Sequence, residues 1–337
     1  MRVALSGLNN SDNPAPGVGV AKGLAGHDLV GFAYEATEPG IYQGIFEQIY
    51  LMPFPSHGYE PLRERLEQIV QKSPIDLAIP NLDAELPLYI KYQNELAKLG
   101  IATYLPTMEQ FESRDKTKLA ALARRLGVKH PRTVEVTSVE ELVREAPKIG
   151  FPLMVKGKYY KARKVSNLEE AIDAFYKISN EWGFPILLQE VVKGSEINMV
   201  ALSDGERVVG GVCIKKLMTT ELGKVWSAIT IKNDALVDLA RRFVETTGFR
   251  GPFELECIAG GDGLYLIEIN PRFPAWVHFA TMVGVNLPAM LVELVEGGRP
   301  EPAFEYPGEK MYVRYVEELL SDYRLFLRLL HDKELGV

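Results

Sequence analysis

Residues 251–272 read GPFELECIAGGDGLYLIEINPR. Two apolar runs flank the turn-forming residues AGGDG, so this stretch predicts a β-hairpin. Because neighbouring side chains on a strand point to opposite faces, Glu254 and Glu256 share one face, and Glu268 and Asn270 share a face of the partner strand. Carboxylates crowded on one face repel each other unless a cation lies between them, and such oxygen ligands suit Mg²⁺ beside nucleotide phosphates. The alternative is a solvated acidic face of an antiparallel sheet.

The composition is that of a globular protein that acts on small molecules. Of 337 residues, 47% are hydrophobic, which allows a substantial core in two or three packed units. There are 38 basic and 45 acidic side chains, and the net charge of −7 argues against non-specific attraction to nucleic acid or to an anionic membrane. The start of the sequence lacks the pattern of a signal peptide, and no apolar run approaches the roughly 18 to 20 residues of a membrane span, so we expect a cytoplasmic protein. The cysteines, Cys213 and Cys257, lie in apolar runs and fit buried packing better than a disulfide or a metal site.

Residues 1–105 alternate short apolar runs with helical stretches. The runs lie at Val3–Leu5, Leu29–Ala33 and Leu77–Ile79. This βα alternation predicts a parallel sheet covered by helices, with ligands expected beyond the carboxyl ends of the strands. The loop at 6–19, SGLNNSDNPAPGVG, follows the first strand and either wraps a substrate or only connects two elements. Its glycines do not form a dinucleotide-binding fingerprint, so nicotinamide binding is not expected.

The remainder of the sequence predicts three further units. Residues 106–190 begin with a helix from Ser113 to Leu126, capped by Ser113, and continue as a compact α+β unit. Residues 191–310 contain several strands, a helix and the hairpin described above. Residues 311–337 are expected to form a helical segment at the end of the chain.

The end of the hairpin resembles the last nucleotide-site strand of the ATP-grasp superfamily. Glu268, Asn270, Pro271 and Arg272 match the E-x-N-P-R pattern of that superfamily. The resemblance implies an α/β and α+β fold in which an N-terminal Rossmann-like parallel-sheet domain precedes a two-lobed ATP-grasp domain. It also implies that ATP binds with Mg²⁺ or Mn²⁺, that Glu256, Glu268 and Asn270 ligate the metal, and that Arg272 meets the transferred phosphoryl group or the substrate.

The resemblance extends upstream to residues that would hold the nucleotide. Taken alone, Lys116 and Lys156 are typical of a protein surface, and residues 189–192 are typical of a core strand followed by a turn. In the superfamily, two lysines contact phosphate, a linker between the lobes seats adenine mostly through its backbone, and one acid takes the ribose hydroxyls. The matching residues are Lys116 and Lys156 for phosphate, Gln189, Glu190, Val191 and Val192 for adenine, and Glu196 for ribose.

Two features near the expected phosphates need separate interpretation. The lid, Gly157–Lys164 (GKYYKARK), has one glycine where most members have a Gly- and Ser-rich loop, so its cations either clamp an anion or are solvated. Lys215 and Lys216 end the strand VVGGVCIKK, and only one of them can face the reaction centre. We expect Lys215 to be that residue, with a catalytic role beside Arg272. Trp276 fits core packing better than an acceptor pocket.

The resemblance implies a carboxylate–amine ligase. A substrate carboxylate would attack the γ-phosphoryl group of ATP, and an amine would then displace phosphate from the acyl phosphate. The products would be an amide or peptide bond, ADP and phosphate. The partners would be small-molecule acids and amines. Neither nucleic acid nor a membrane is expected as a partner, and formation of a homo-oligomer stays open. Two alternatives stay open: a bicarbonate-activating unit like the large subunit of carbamoyl-phosphate synthetase, and a non-catalytic nucleotide-binding protein.

Overall fold

The computed structural model of the chain describes residues 1–11 and 13–336. In these residues three β-sheets organise the chain: a five-stranded sheet, a four-stranded sheet and a six-stranded sheet. Helices cover the sheets, so the protein has the mixed α/β architecture that the sequence predicts. No helix in this described part of the chain is long and apolar enough to cross a membrane.

The five-stranded sheet is built mainly from the first hundred residues. Four of its strands are parallel, in the order β3-β2-β1-β4. The carboxyl ends of β1 and β4 lead into the loops at 7–16 and 80–85, which therefore lie side by side at one edge of the sheet. The elements are β1 (Arg2–Ser6), α1 (Gly17–Gly23), β2 (Asp28–Ala33), β3 (Gln48–Leu51), α2 (Tyr59–Lys72), β4 (Leu77–Ile79) and α3 (Leu86–Lys98), with 3₁₀ turns at Pro39–Tyr42 and Pro55–His57.

The four-stranded sheet is antiparallel, in the order β5-β8-β6-β7. Two amphipathic helices cover one face and enclose a small core of their own. Side-chain oxygens of Ser138 and Asn167 cap these helices by accepting from the backbone three residues on. The elements are α4 (Met108–Phe111), a 3₁₀ turn at Glu112–Arg114, α5 (Leu119–Arg125), β5 (Thr133–Val136), α6 (Val139–Ile149), β6 (Leu153–Gly157), β7 (Ala162–Val165), α7 (Leu168–Trp182) and β8 (Ile186–Glu190).

The helix predicted to begin at Ser113 begins instead at Leu119, so that part of the prediction is wrong. Asp115 Oδ1 accepts from the Thr117 amide and hydroxyl at 3.0 and 2.7 Å, and this local bonding competes with helix formation. Lys116 therefore lies in a non-helical stretch before the helix.

The six-stranded sheet is antiparallel, in the order β13-β12-β9-β10-β11-β14. One face packs on α5 and α8. The opposite face packs into the same core as the five-stranded sheet. This shared core links the two ends of the chain. Cys213 and Cys257 are free and buried within this sheet, as predicted. The elements are β9 (Gly194–Asp204), β10 (Val208–Thr219), β11 (Val225–Ile231), α8 (Asp234–Thr247), β12 (Arg250–Gly260), β13 (Gly263–Asn270), α9 (Val277–Met282), α10 (Leu287–Val295) and β14 (Met311–Val313).

The last part of the chain returns to both large sheets. β14 is the edge strand of the six-stranded sheet, α11 spans Tyr323–Asp332, and β15 (Glu334–Gly336) pairs antiparallel with β3. The helical segment expected at 311–337 thus contains one helix, α11, and two short strands that the sequence did not indicate. Strands of three residues are too short to show a two-residue periodicity in the sequence.

Candidate active site

The acidic residues of the hairpin lie on one face of the six-stranded sheet. Glu256 pairs directly with Glu268 across β12 and β13, and Glu254 pairs with Asn270. Directly opposed side chains on one face have Cβ atoms about 4.5–5.5 Å apart. The apolar neighbours on the strands, such as Leu255 and Ile269, point to the other face and lie in its core. The strand alternation expected from the sequence therefore brings the four polar side chains together.

Glu254 is the innermost of these acids and is held by neutral donors. It is 4% exposed. Its carboxylate accepts from Asn198 Nδ2 at 2.7 Å, from Trp276 Nε1 at 2.7 Å and from Asn270 Nδ2 at 2.9 Å. Burial, followed by the charge of Glu256, raises the pKa of Glu254 to about 7. Trp276 is buried and holds this acid, which agrees with the packing role expected for it.

Glu256 and Glu268 are instead paired with lysines from two different parts of the chain. Lys216 Nζ lies 2.6 Å from Glu256, and Lys116 Nζ lies 2.7 Å from Glu268. Burial alone would raise the pKa of Glu256, but the adjacent Lys216 outweighs it and the pKa is lowered. Burial would likewise lower the pKa of Lys216, and the nearby acids raise it instead. Each of these carboxylates is thus matched by a positive charge.

The structure places Lys216, and not Lys215, at these acids, so we correct the assignment made from the sequence. Lys216 follows Ile214 on the sheet face of the acids and is 6% exposed. Lys215 lies opposite Ile197, whose side chain belongs to the core on the other face. The two lysines are adjacent, so the phase of the strand alone decides which one faces the cleft.

Lys156 ends β6 and faces the same acids from the four-stranded sheet. Its side chain is 8% exposed. Burial, together with the charge of Lys116, lowers the pKa of Lys156 to about 8, while Glu268, Glu256 and Glu196 act in the opposite direction. A buried ammonium is costly unless an anion neutralises it. Lys116 and Lys156 therefore form, with the acids, a cleft between the two sheets in which both signs of charge are concentrated.

The residues expected to seat adenine and ribose border this cleft. Gln189 is buried and donates from Nε2 to Thr133 Oγ1 at 2.9 Å, and Glu190 Oε1 accepts from the Arg132 amide at 2.7 Å. The side chains of Gln189 and Glu190 are thus hydrogen-bonded within the protein. Val191 and Val192 follow the end of β8 and lie outside any strand. Glu196 is half exposed and lies 3.3 Å from Lys216 Nζ.

The lid is a tight turn between β6 and β7 whose cations are paired with protein carboxylates. Lys158 Nζ lies 3.1 Å from Asp115, and Lys161 and Arg163 pair with acids of α7. Gly157 is required by the turn, because a Cβ there would lie 2.4 Å from the Tyr160 carbonyl oxygen. The lid is therefore fastened by its side chains to its own sheet and to the stretch around Asp115.

Arg272 follows the hairpin and reaches the loop after β4. It donates from Nε and Nη2 to the two carboxylate oxygens of Asp83 at 3.1 and 2.9 Å. The pair is bidentate. Burial alone would raise the pKa of Asp83, but the nearby cations, Arg272 foremost, lower it instead. The sequence analysis missed Asp83, although its position just after a strand of a parallel sheet is a signal that could have indicated it.

The residues at the acids fit a divalent cation. Two carboxylates and a carboxamide lie on one face, and lysine ammonium groups lie 2.6 and 2.7 Å from the two carboxylates, so this face attracts positive charge. Mg²⁺ binds a few such oxygen ligands together with substrate phosphates rather than a complete protein cage. Within residues 1–11 and 13–336 no group of three or more His, Cys, Asp or Glu side chains is arranged to hold a metal, so this site consists of two acids and one amide.

Comparison with known proteins gives one consistent class. Residues 184–319 match a model of the family described as ATP-grasp in the biosynthetic pathway with Ter operon. The chain is 27% identical over 261 residues to the carbamoyl phosphate synthase large chain of Clostridium beijerinckii, which covers 72% of this chain and 24% of that protein. The chain thus spans about a quarter of the length of the curated relatives it matches.

Solved structures share the fold of this chain. An L-amino acid ligase from Bacillus licheniformis is 17% identical with a TM-score of 0.66, over 89% of this chain and 75% of that one. The biotin carboxylase domain of the Hydrogenobacter thermophilus 2-oxoglutarate carboxylase, solved as a dimer with MgADP, ADP and bicarbonate, is also 17% identical with a TM-score of 0.66, over 92% and 73% of the two chains.

The match of residues 184–319 and the carbamoyl phosphate synthase relatives support the ATP-grasp superfamily, and the solved structures share its fold.

Proposed function

We propose that this protein is an ATP-dependent carboxylate–amine ligase that forms an amide or peptide bond through an acyl phosphate. The observation that carries the proposal is the meeting of Lys116 and Lys156 with Glu256, Glu268 and Asn270 across the cleft. Opposed cations and anions in a water-poor cleft are suited to holding a triphosphate with its metal.

In this proposal the chain divides as the sequence suggests. Residues 1–105 form a Rossmann-like domain, residues 106–190 and 191–310 form the two ATP-grasp lobes, and 311–337 complete both large sheets. The backbone of Val191 and Val192 seats adenine beside Gln189 and Glu190, and Glu196 takes the ribose hydroxyls. Glu196 is half exposed and already accepts a cationic partner, which supports its availability to a ligand.

The protein groups around the phosphates act by neutralising and orienting them. Lys116 and Lys156 hold phosphate oxygens, and their partner acids Glu256 and Glu268, with Asn270, hold Mg²⁺ or Mn²⁺. When bound, the metal draws charge from the β- and γ-phosphates. Because Lys216 neutralises Glu256 in the free protein, we assign it to the site in place of Lys215. A lysine released from Glu256 on metal binding is free to contact phosphate.

The reaction that we propose has two steps. An oxygen of the substrate carboxylate bonds to the γ-phosphorus as the β–γ bridging bond breaks, which yields ADP and an acyl phosphate. The nitrogen of an amine then bonds to the acyl carbon, phosphate leaves and the amine loses a proton to solvent. Arg272 lies beside the acids and next to Asp83, where it orients the acid substrate.

The test is product analysis with the full chain. The protein is incubated with Mg·ATP, pooled amino acids and peptides, and ADP, AMP and new masses are measured. We expect ADP, phosphate and one condensed product; release of AMP and pyrophosphate would contradict the proposal.

A bicarbonate-activating reaction is the second candidate, because the relatives that match 72% of the chain are carbamoyl phosphate synthase large chains. It predicts ADP release with bicarbonate alone and no condensation of two organic substrates. The same incubation with bicarbonate in place of the pooled acids separates the two candidates.

A further inference from the structure

A second charged cluster lies beside the proposed reaction site, at the carboxyl edge of the five-stranded sheet. Among residues 1–11 and 13–336, it contains four cations from four separate stretches of chain and one carboxylate that is placed among them. Arg114 precedes α5, Lys224 ends the turn between β10 and β11, Arg272 follows β13 and Arg314 follows β14, while Asp83 lies in the loop after β4.

In the described part of this cluster, the carboxylate of Asp83 is already paired. Both carboxylate oxygens of Asp83 accept hydrogen bonds from Arg272. Arg114 lies 4.3 Å over the ring of Tyr159 and donates to the Tyr160 hydroxyl at 3.2 Å. The cluster therefore keeps an excess of positive charge after its one ion pair is counted.

Lys224 and Arg314 are tied to the loop at 7–16 through neutral acceptors. Lys224 Nζ donates to the Pro14 carbonyl at 2.9 Å, and Arg314 Nη1 donates to Asn10 Oδ1 at 2.7 Å. Arg314 Nη2 donates to the Ala275 carbonyl at 2.9 Å, whereas its Nε is buried and without a hydrogen-bond partner among the described residues. Neutral acceptors do not cancel the charge of two cations held together away from water.

The pKa of Lys224 reflects the same excess of positive charge. Burial, together with the charges of Arg272 and Arg314, lowers the pKa of Lys224 to about 8 against the opposing charges of Asp83 and Glu254. These are the charged groups that face Lys224 from β12, β13, β14 and the loop after β4. An anion bound here would raise the pKa and stabilise the protonated lysine.

We propose that Lys224 and Arg314 bind a second anionic group of the acid substrate, so that the protein activates dianionic acids: one carboxylate is phosphorylated near Arg272 while a second carboxylate or a phosphate is held between Lys224 and Arg314. The proposal rests on the ligase function proposed above. The cluster is suited to a small ligand, because it is enclosed by the loop at 7–16 and by the sheet edge and carries no extended basic surface. The loop at 7–16 then has a function in substrate binding, one of the two interpretations that its sequence allowed.

The test compares acids in matched pairs that differ by one charge. Wild-type protein is incubated with Mg·ATP and hydroxylamine, which traps an acyl phosphate as a hydroxamate without knowledge of the natural amine. Glutamate is compared with glutamine, aspartate with asparagine, and phosphoserine with serine; the first two pairs test a second carboxylate and the third tests a phosphate. We expect kcat/KM to be at least about 10-fold higher for the charged member of one pair, the effect of a charge-assisted hydrogen bond.

Variants identify the residues that cause this preference. Arg314→Gln and Lys224→Met should each remove most of the preference for the charged acid, mainly through KM, and should cost the neutral member less than the charged one. Lys310→Gln is the matched control, because Lys310 is exposed just before β14 and lies outside the cluster. Equal rates for both members of every pair, or equal losses for charged and neutral acids in Arg314→Gln, would overturn the proposal.

A binding measurement separates this proposal from the proposed function. Calorimetry of the same acids without nucleotide should show the charged acid binding to wild type and to Lys310→Gln and not to Arg314→Gln. If that result is found while no acid supports ADP release, the ligase function fails and the anion site stands. If ADP is released with neutral acids only and no charged acid binds, the anion site fails and the ligase function stands.

Discussion

Replacing Lys216 by methionine removes the cation that neutralises Glu256. The two side chains are 6% and 15% exposed and their charged atoms are 2.6 Å apart, so solvent screens them little. Removal of one partner of a buried ion pair costs about 3–5 kcal/mol, because the other charge stays buried without compensation. We expect a loss of about 3 kcal/mol in the free energy of unfolding, the lower end of that range, because Glu256 can take up a proton or turn partly to solvent.

Urea unfolding at neutral pH without metal measures this loss. Lys193→Met is the control, since Lys193 is exposed on the neighbouring loop, and its effect should stay within about 0.5 kcal/mol. In the double variant Lys216→Met/Glu256→Gln most of the loss should disappear, because the uncompensated charge is gone, which gives a coupling of about 2 kcal/mol. A single variant as stable as wild type, or a coupling near zero, would refute the electrostatic account of this face.

Three further predictions concern activity. Glu268→Gln should lower ADP release by at least about 100-fold, which is the usual cost of losing one group that stabilises the transition state. Its circular dichroism spectrum should stay that of wild type. An unchanged rate would show that the metal is held elsewhere. EDTA should stop ADP release and Mg²⁺ in excess should restore it, whereas turnover that persists in EDTA would exclude the metal site. KM for the charged acid should rise from pH 7 to pH 9, because Lys224, with a pKa of about 8, loses its charge in that window, and Lys224→Met should abolish this rise; the same pH dependence in the variant would assign it to another group.

Much of the fold follows from local patterns in the sequence. The predicted runs Val3–Leu5, Leu29–Ala33 and Leu77–Ile79 all lie in strands of the five-stranded sheet, because each is a short run of apolar residues. The short strands near the end of the chain were not predicted, since β14 and β15 gain their hydrogen bonds from strands more than 80 residues away. Pairing of that kind leaves no periodic signal in a segment of three residues.

The candidate site was predictable where strand alternation decides the geometry. Alternation places Glu254, Glu256, Glu268 and Asn270 together, and the register of the hairpin agrees. The same rule could not choose between Lys215 and its neighbour, because a shift of one residue in the phase of a strand exchanges the two faces.

The partner of Arg272 was beyond the reach of sequence patterns. Asp83 lies 189 residues away and meets Arg272 only because the loop after β4 and the end of β13 converge at one cleft. The excess of positive charge around this pair could not be predicted from the sequence either, because its side chains come from four separate stretches of chain.

A crystal structure with Mg²⁺ and a non-hydrolysable ATP analogue tests the central claim most directly. We predict the metal about 2.0–2.1 Å from oxygens of Glu256 and Glu268, with Asn270 beside it and the triphosphate in contact with Lys116 and Lys156. A structure in which both acids keep their lysine partners while the nucleotide binds elsewhere would contradict the account.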